Sequence, residues 1–153
     1  MVMTAPDIFR IEDYFDGPVH AEGLVEDRFG KVRRKFSVVI EGRPTDDGCI
    51  LEETFAFDDG ERSHRTWTVA RTSEVEYEGR ADDVVGRARG RSEGRELRWI
   101  YRLRLPIGKR VWAVDFDDRM FLRDGGMMLN IAEMRKWGIT LGRITIAFQR
   151  PVS

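Results

Sequence analysis

From residue 19 to residue 149 the apolar residues of this chain recur at alternate positions, in short runs separated by turns that contain Asp and Gly. A period of two puts one set of side chains on one face of an extended strand and the next set on the other, and it leaves no stripe for a long amphipathic helix. The runs are rich in Val, Ile, Thr and aromatics and return roughly every ten residues, the rhythm of antiparallel all-β domains. The predicted strands are 19–29, 32–42, 49–58, 62–71, 74–80, 84–91, 96–105, 111–117, 119–123, 127–134 and 140–149. One helical segment is predicted over residues 5–15, capped by Thr4, with Pro6 and Asp7 in its first turn and Gly17-Pro18 ending it. The 153 residues suffice for one real core. No linker or repeat divides them, so residues 1–153 read as a single domain.

A correct strand register puts matching chemistry on each face. Pairing Arg80 with Val85 sets Glu78, Glu76 and Glu74 opposite Arg87, Arg89 and Arg91. It also sets Tyr77 against Ala88 and Gly79 against Gly86. Pairing Arg91 with Glu96 brings Gly90, Ala88 and Gly86 against Leu97, Trp99 and Tyr101. One face becomes a ladder of ion pairs, and the other alternates small and aromatic residues, as the inside of a closed barrel does. Similar pairings set Val25 against Phe36, Phe55 against Arg65, Glu53 against Trp67, Leu103 against Val114 and Tyr101 against Phe116. Ile144, Ile146 and Phe148 point inward from the last strand, which can close on the first. The expected fold is a single all-β, antiparallel, lipocalin-like (calycin-type) up-and-down barrel, with the short N-terminal helix sealing one end.

Charge narrows the partners. The chain has 26 Lys and Arg against 27 Asp and Glu, a net charge of −1, which argues against nucleic acid or an anionic membrane as the main partner. No apolar run approaches the ~18 residues of a membrane span. One Cys excludes an internal disulfide framework. With no secretory signal and no lipobox Cys in view, a cytoplasmic, reducing compartment is the expectation.

The runs Asp27-Arg-Phe-Gly-Lys, Glu53-Thr-Phe-Ala-Phe-Asp-Asp-Gly, Arg65-Thr-Trp and Tyr77-Glu-Gly-Arg-Ala-Asp-Asp-Val-Val-Gly-Arg-Ala-Arg-Gly are followed by Phe116-Asp-Asp-Arg-Met, Asn130 with Met134, and Lys136-Trp-Gly. In this order they resemble bacterial domain-of-unknown-function family 3833, over residues from about 15 to 149. The resemblance implies a lipocalin-like barrel of unknown activity. Many members of that family look like lipoproteins, which leaves a periplasmic location open if a leader has been trimmed. Here the single Cys49 falls in a strand, so anchoring is not carried over. Arg95 and Arg119 stand where the family pattern leads one to expect Asn and Trp.

The candidate site is the barrel interior. Glu53 and Arg65 share a face with Leu51, Phe55, Trp67 and Val69. A carboxylate and a guanidinium there are costly unless paired. They either form an internal ion pair that fixes packing or orient the polar end of a ligand. Trp67, Tyr77, Trp99, Tyr101 and Phe116 form an aromatic wall that either plugs the barrel or lines a pocket. Asp118, opposite Trp99, is expected near the mouth. The other Asp residues of the doublets at 46–47, 58–59, 82–83 and 117–118 read as turn chemistry rather than a calcium loop. His20 and His64 are isolated, and neither a nucleophile elbow nor a zinc motif is present, so no catalytic residue, metal or cofactor is assigned. The leading function is binding or carriage of a small hydrophobic or lipid-like molecule by Glu53, Phe55, Arg65, Trp67, Tyr77, Trp99, Tyr101, Phe116 and Asp118. The alternatives are an isomerase, hydratase or cyclase using the same cavity, and a ligand-free interaction module. Oligomeric state is not legible.

Overall fold

The computed structural model describes residues 3–151. Ten strands run β1 (Gly17–Asp27), β2 (Val32–Pro44), β3 (Gly48–Phe57), β4 (Arg62–Arg71), β5 (Glu76–Arg80), β6 (Ala88–Glu93), β7 (Glu96–Ile107), β8 (Arg110–Leu122), β9 (Met127–Lys136) and β10 (Ile139–Gln149). Each pairs antiparallel with the next, and β10 returns to β1, closing a lipocalin-like up-and-down barrel without free edges. No helix among the described residues is long and apolar enough to cross a membrane.

Three expectations need correction. The segments read as two strands, 111–117 and 119–123, are one continuous β8. The Asp117-Asp118 doublet that suggested a break lies within a strand: Asp117 faces out to Arg98, and Asp118 faces in. The sixth strand begins at Ala88 rather than residue 84, because residues 81–87 form a loop laid along β7, with Val85 N–H on the Arg102 carbonyl and Arg104 N–H on the Asp83 carbonyl. The helix shrinks to one turn, α1 (Ile11–Tyr14), with Arg10 rather than Thr4 at its N-cap and no side-chain cap. Residues 5–10 direct backbone hydrogen bonds to the barrel instead: Ala5 N–H to Asp124, and Phe9 N–H to the Gly94 carbonyl. Tertiary partners outweigh a weak local helix propensity.

The predicted registers keep the right faces but several slip by two residues. Observed pairs are Glu53 with Arg65, Leu51 with Trp67, Tyr77 with Gly90, Gly79 with Ala88, Gly90 with Trp99 and Gly23 with Phe36. Leu103 with Val114, Tyr101 with Phe116 and Trp99 with Asp118 are as expected. The slips come from the turns. β3–β4 closes on the Phe57 N–H to Glu61 carbonyl bond around a three-residue loop with Gly60 at φ +91°. β6–β7 needs only two residues, Gly94 and Arg95. A two-residue slip preserves the inward set, so the division into ion-paired outside and aromatic inside survives. Arg87–Glu78, Arg98–Asp117 and Arg102–Asp115, each at 2.7 Å, decorate the outer wall.

One end of the barrel is sealed by the N-terminal segment. Phe9 is fully buried, Ile11, Tyr14 and Phe15 nearly so, and the Ser92 hydroxyl donates to the Phe9 carbonyl at 2.6 Å. Inside, the small residues opposite the aromatics are seats rather than voids. A Cβ built on Gly79 or Gly90 would lie 2.5 Å from the Trp99 indole. Gly90→Val is therefore expected to displace that ring and cost about 1–3 kcal/mol, read as a lower urea midpoint. An unchanged midpoint would show that the ring has room to move.

Candidate ligand-binding cavity

Above the plug and the Trp99 seat the barrel is hollow, with a cavity of about 310 Å³. Alternation on every strand builds its wall, because inward positions carry aromatics and aliphatics while charges go outward. Trp67 meets Trp99 edge to face at 5.5 Å and Tyr101 at 5.4 Å, and Tyr101 stacks on Phe116 at 5.0 Å. Phe36, Phe55 and Phe57 cluster nearer the open end, with centroids 5.5–6.2 Å apart.

Two polar groups interrupt this lining. The outer one is Glu53 and Arg65, with Asp83 behind Arg65 and outside the lining. Arg65 is gripped by Asp83 from the 81–87 loop, Nε at 3.1 Å and Nη2 at 2.9 Å, while Glu53 lies 3.7 Å from Nη1. Glu53 accepts the Trp67 indole N–H at 3.1 Å. Burial pushes the Glu53 carboxyl up to about 7, with Arg65 opposing the rise. Arg34 lines the cavity toward the open end, its guanidinium 3.7 Å from the Phe57 ring centre. Its Nη2 reaches Asp59 and Glu61, but its buried Nε has no partner among the described residues.

The inner group is Asp118, Asn130 and Tyr101. Asn130 Nδ2 donates to Asp118 Oδ2 at 3.2 Å, and the Tyr101 hydroxyl donates to the same oxygen at 3.4 Å. Asp118 is 5% exposed and Asn130 3%. Asp118 Oδ1 and Asn130 Oδ1 have no partner among the described residues. Burial raises the Asp118 carboxyl to about 7, partly offset by the Asn130 and Tyr101 bonds. Burial raises the Tyr101 phenol well above its ordinary value, so it stays a donor. Two buried oxygens on the cavity wall thus lack partners there: Asn130 Oδ1 calls for a donor, while Asp118 Oδ1 accepts when ionised and donates when protonated.

Of the sequence-selected residues, Glu53, Phe55, Arg65, Trp67, Trp99, Tyr101, Phe116 and Asp118 line this one cavity. Tyr77 does not. Its hydroxyl donates to Glu12 at 2.5 Å and accepts the Ile11 N–H at 3.3 Å, so it locks the plug. Asp118 is deep rather than near the mouth: it is four positions from the sealed end of β8 and eight from the open end. Three residues outside the expected set, Arg34, Asp83 and Asn130, also belong to the site. Arg34 is in phase with Phe36 and Val38, and Asn130 with Met128 and Ala132, so inward parity would have found both. Asp83 reaches Arg65 from a loop, which no periodicity reports. Burial pushes the Cys49 thiol up to about 12, which suits a packed side chain and not a nucleophile.

Comparison with known proteins adds a fold relative and a family. The S-type phycobiliprotein lyase CPES from Guillardia theta superposes with a TM-score of 0.63, covering 95% of this chain and 94% of that one at 7% identity. That likeness is one of fold. No curated protein matches the chain. The sequence model of the family described as Protein of unknown function (DUF3833) matches residues 3–150. Spanning nearly the whole barrel and its plug, that match makes the chain a member of the DUF3833 family.

Proposed function

We propose that the barrel binds and carries a small, largely apolar molecule bearing a hydrogen-bond donor at its inner end. The observation that carries this reading is the pair of buried, unpartnered oxygens, Asp118 Oδ1 and Asn130 Oδ1, at the inner part of an aromatic cavity. Such a site rejects a wholly hydrocarbon ligand, since filling it that way leaves both polar groups unsatisfied. An N–H or O–H at the inner end satisfies Asn130 Oδ1, and a hydroxyl there can also serve Asp118 Oδ1 in either protonation state. Toward the mouth, the partnerless Arg34 Nε suits a carbonyl or carboxylate, while the aromatic wall takes the body between.

Native mass spectrometry of protein purified from its own host tests this directly. The expected result is a small molecule that is retained in the gas phase and released on unfolding. Ala132→Trp, which fills the cavity, should lose it and should also lose at least tenfold in affinity for aromatic or fatty-acid probes. Absence of any bound molecule together with no probe binding would overturn the proposal.

A second reading rests on the two carboxyls of the cavity wall. Glu53 and Asp118 both titrate near neutrality inside an apolar cavity, the condition for general acid–base work on an apolar substrate by an isomerase, hydratase or cyclase. The phycobiliprotein lyase shows that a barrel of this architecture accommodates an enzyme. On that reading Glu53→Gln or Asp118→Asn abolishes turnover of the captured molecule while it still binds.

A further inference from the structure

We infer that the open rim of the barrel is a docking surface for an anionic phospholipid bilayer, which brings the cavity mouth against the membrane. Three hairpin tips stand side by side at that end, because β1–β2, β9–β10 and β7–β8 are consecutive pairs around the ring. Each presents apolar surface to solvent. Phe29 is 82% exposed on the first tip and Trp137 78% on the second, and Val111 is 67% exposed beside the third. Ile139 and Ile107 flank the latter two, also exposed. Scattered single apolar residues are ordinary on a protein surface; a set gathered on adjacent tips around one opening is not.

Cations accompany them. Arg28, Lys31, Lys109, Arg110 and Lys136 occupy or adjoin these same tips, and none forms an ion pair with a carboxylate among the described residues. Arg28 lies 5.0 Å from the Phe29 ring centre. Lys136 Nζ lies 4.7 Å from that of Trp137, and Trp112 packs behind at 5.7 Å. An aromatic ring with a cation over its face is the pairing suited to the headgroup layer, where the ring enters the interface and the cation meets phosphate. The chain's near-balance of charge conceals this asymmetry. Asp58, Asp59, Glu61, Asp82 and Asp83 belong to the other side of the rim, the β3–β4 turn and the 81–87 loop. Arg34 holds Asp59 and Glu61 there, and Arg65 holds Asp83. The cations unpaired among the described residues thus lie on the flank of the apolar tips, and a bilayer draws that flank in first, fixing a tilted approach.

Trp137 supplies an independent sign. The two-residue β9–β10 turn needs left-handed backbone at both positions, with Trp137 at φ +53° and Gly138 at +73°. Asn or Gly fits such a place without penalty; a bulky aromatic there is strained. Strain of that kind marks a side chain kept for what it touches. The docking does not depend on what the cavity holds.

The test is flotation of the full chain with vesicles of phosphatidylcholine containing about 30% phosphatidylserine, against phosphatidylcholine alone. Binding is expected only with the anionic vesicles, weakening as salt is raised. Phe29→Ser with Trp137→Ser should reduce it at least tenfold, and so should Lys109→Glu with Arg110→Glu, while probe binding in the cavity stays unchanged. No flotation, equal flotation with neutral vesicles, or undiminished binding by both double variants would overturn the inference. Rim-dependent capture of a protein without vesicle binding would overturn it in favour of a protein partner.

Discussion

Raising the pH from 5 to 8 is expected to destabilise the ligand-free protein by several kcal/mol, against the trend of a domain held by surface ion pairs. Glu53 and Asp118 are the cause. In the unfolded chain they ionise near 4.5 and 3.8, whereas burial keeps each protonated up to about 7 in the barrel. Between those limits the folded state carries more protons than the unfolded one, so rising pH favours unfolding. Each unit of displacement corresponds to about 1.4 kcal/mol, giving on the order of 3 kcal/mol per group. The advantage is whole below about pH 4 and is lost as pH climbs through 7. Opposing this at the acid end, Asp27, Asp59 and Asp117 ionise below the usual carboxylate range, held by the Lys31 N–H, the Glu61 N–H and the Arg98 guanidinium respectively. Maximum stability is therefore expected in mildly acidic solution. Urea midpoints at pH 5, 6, 7 and 8 should fall steadily for the native chain and stay level for Glu53→Gln/Asp118→Asn. A native profile that rises toward pH 8 would show that these carboxyls are solvated or paired. A ligand donating to Asp118 should flatten the decline.

Truncating the plug should be comparably severe. Phe9 is fully buried, clamped by its own N–H on Gly94 and by Ser92 on its carbonyl, and it packs 6.1 Å from the Tyr14 ring centre. Phe9→Ala removes a ring from a site whose backbone is tied and cannot collapse, at a cost of about 3–5 kcal/mol. For a domain of this size that is roughly 10 °C in Tm. The loss should be accompanied by faster release of any cavity probe, because the sealed end becomes a second exit. Ser92→Ala, which frees the carbonyl but keeps the ring, should cost about 1 kcal/mol and leave release unchanged. If Phe9→Ala were nearly neutral, the N-terminal segment would be lying on the barrel rather than closing it.

The architecture was legible because a period of two survives every local error. The strand faces, the meander, the closure of last strand on first and the aromatic interior all depend on parity alone. Parity is indifferent to the two-residue slips that the Gly60 and Gly94 turns introduced. What parity cannot see is anything off the strands. The grip of Asp83 on Arg65 comes from a loop and changes the meaning of the Glu53–Arg65 pair, since Arg65 already has its carboxylate. The depth of Asp118 was misjudged because Asp117-Asp118 reads as a turn until β8 is seen to run through it. Arg34 and Asn130 are polar residues in inward phase, so parity alone places both on the cavity wall. Tyr77 shared the parity of the cavity wall yet serves the plug, a distinction set by its height in the barrel.

The seam between β1 and β10 joins residues 17–27 to residues 139–149. During synthesis, a ribosome that has delivered nine strands has delivered an open sheet with two unpaired edges and an aromatic trough exposed to the cytosol or translocation machinery. Nothing local can finish the ring, and contacts of such sequence separation form slowly. The chain thus spends its whole elongation time in its most adhesive condition. Loss of β10 would yield a sticky ribbon rather than a smaller barrel, which makes residues 139–149 as consequential for solubility as any residue of the core.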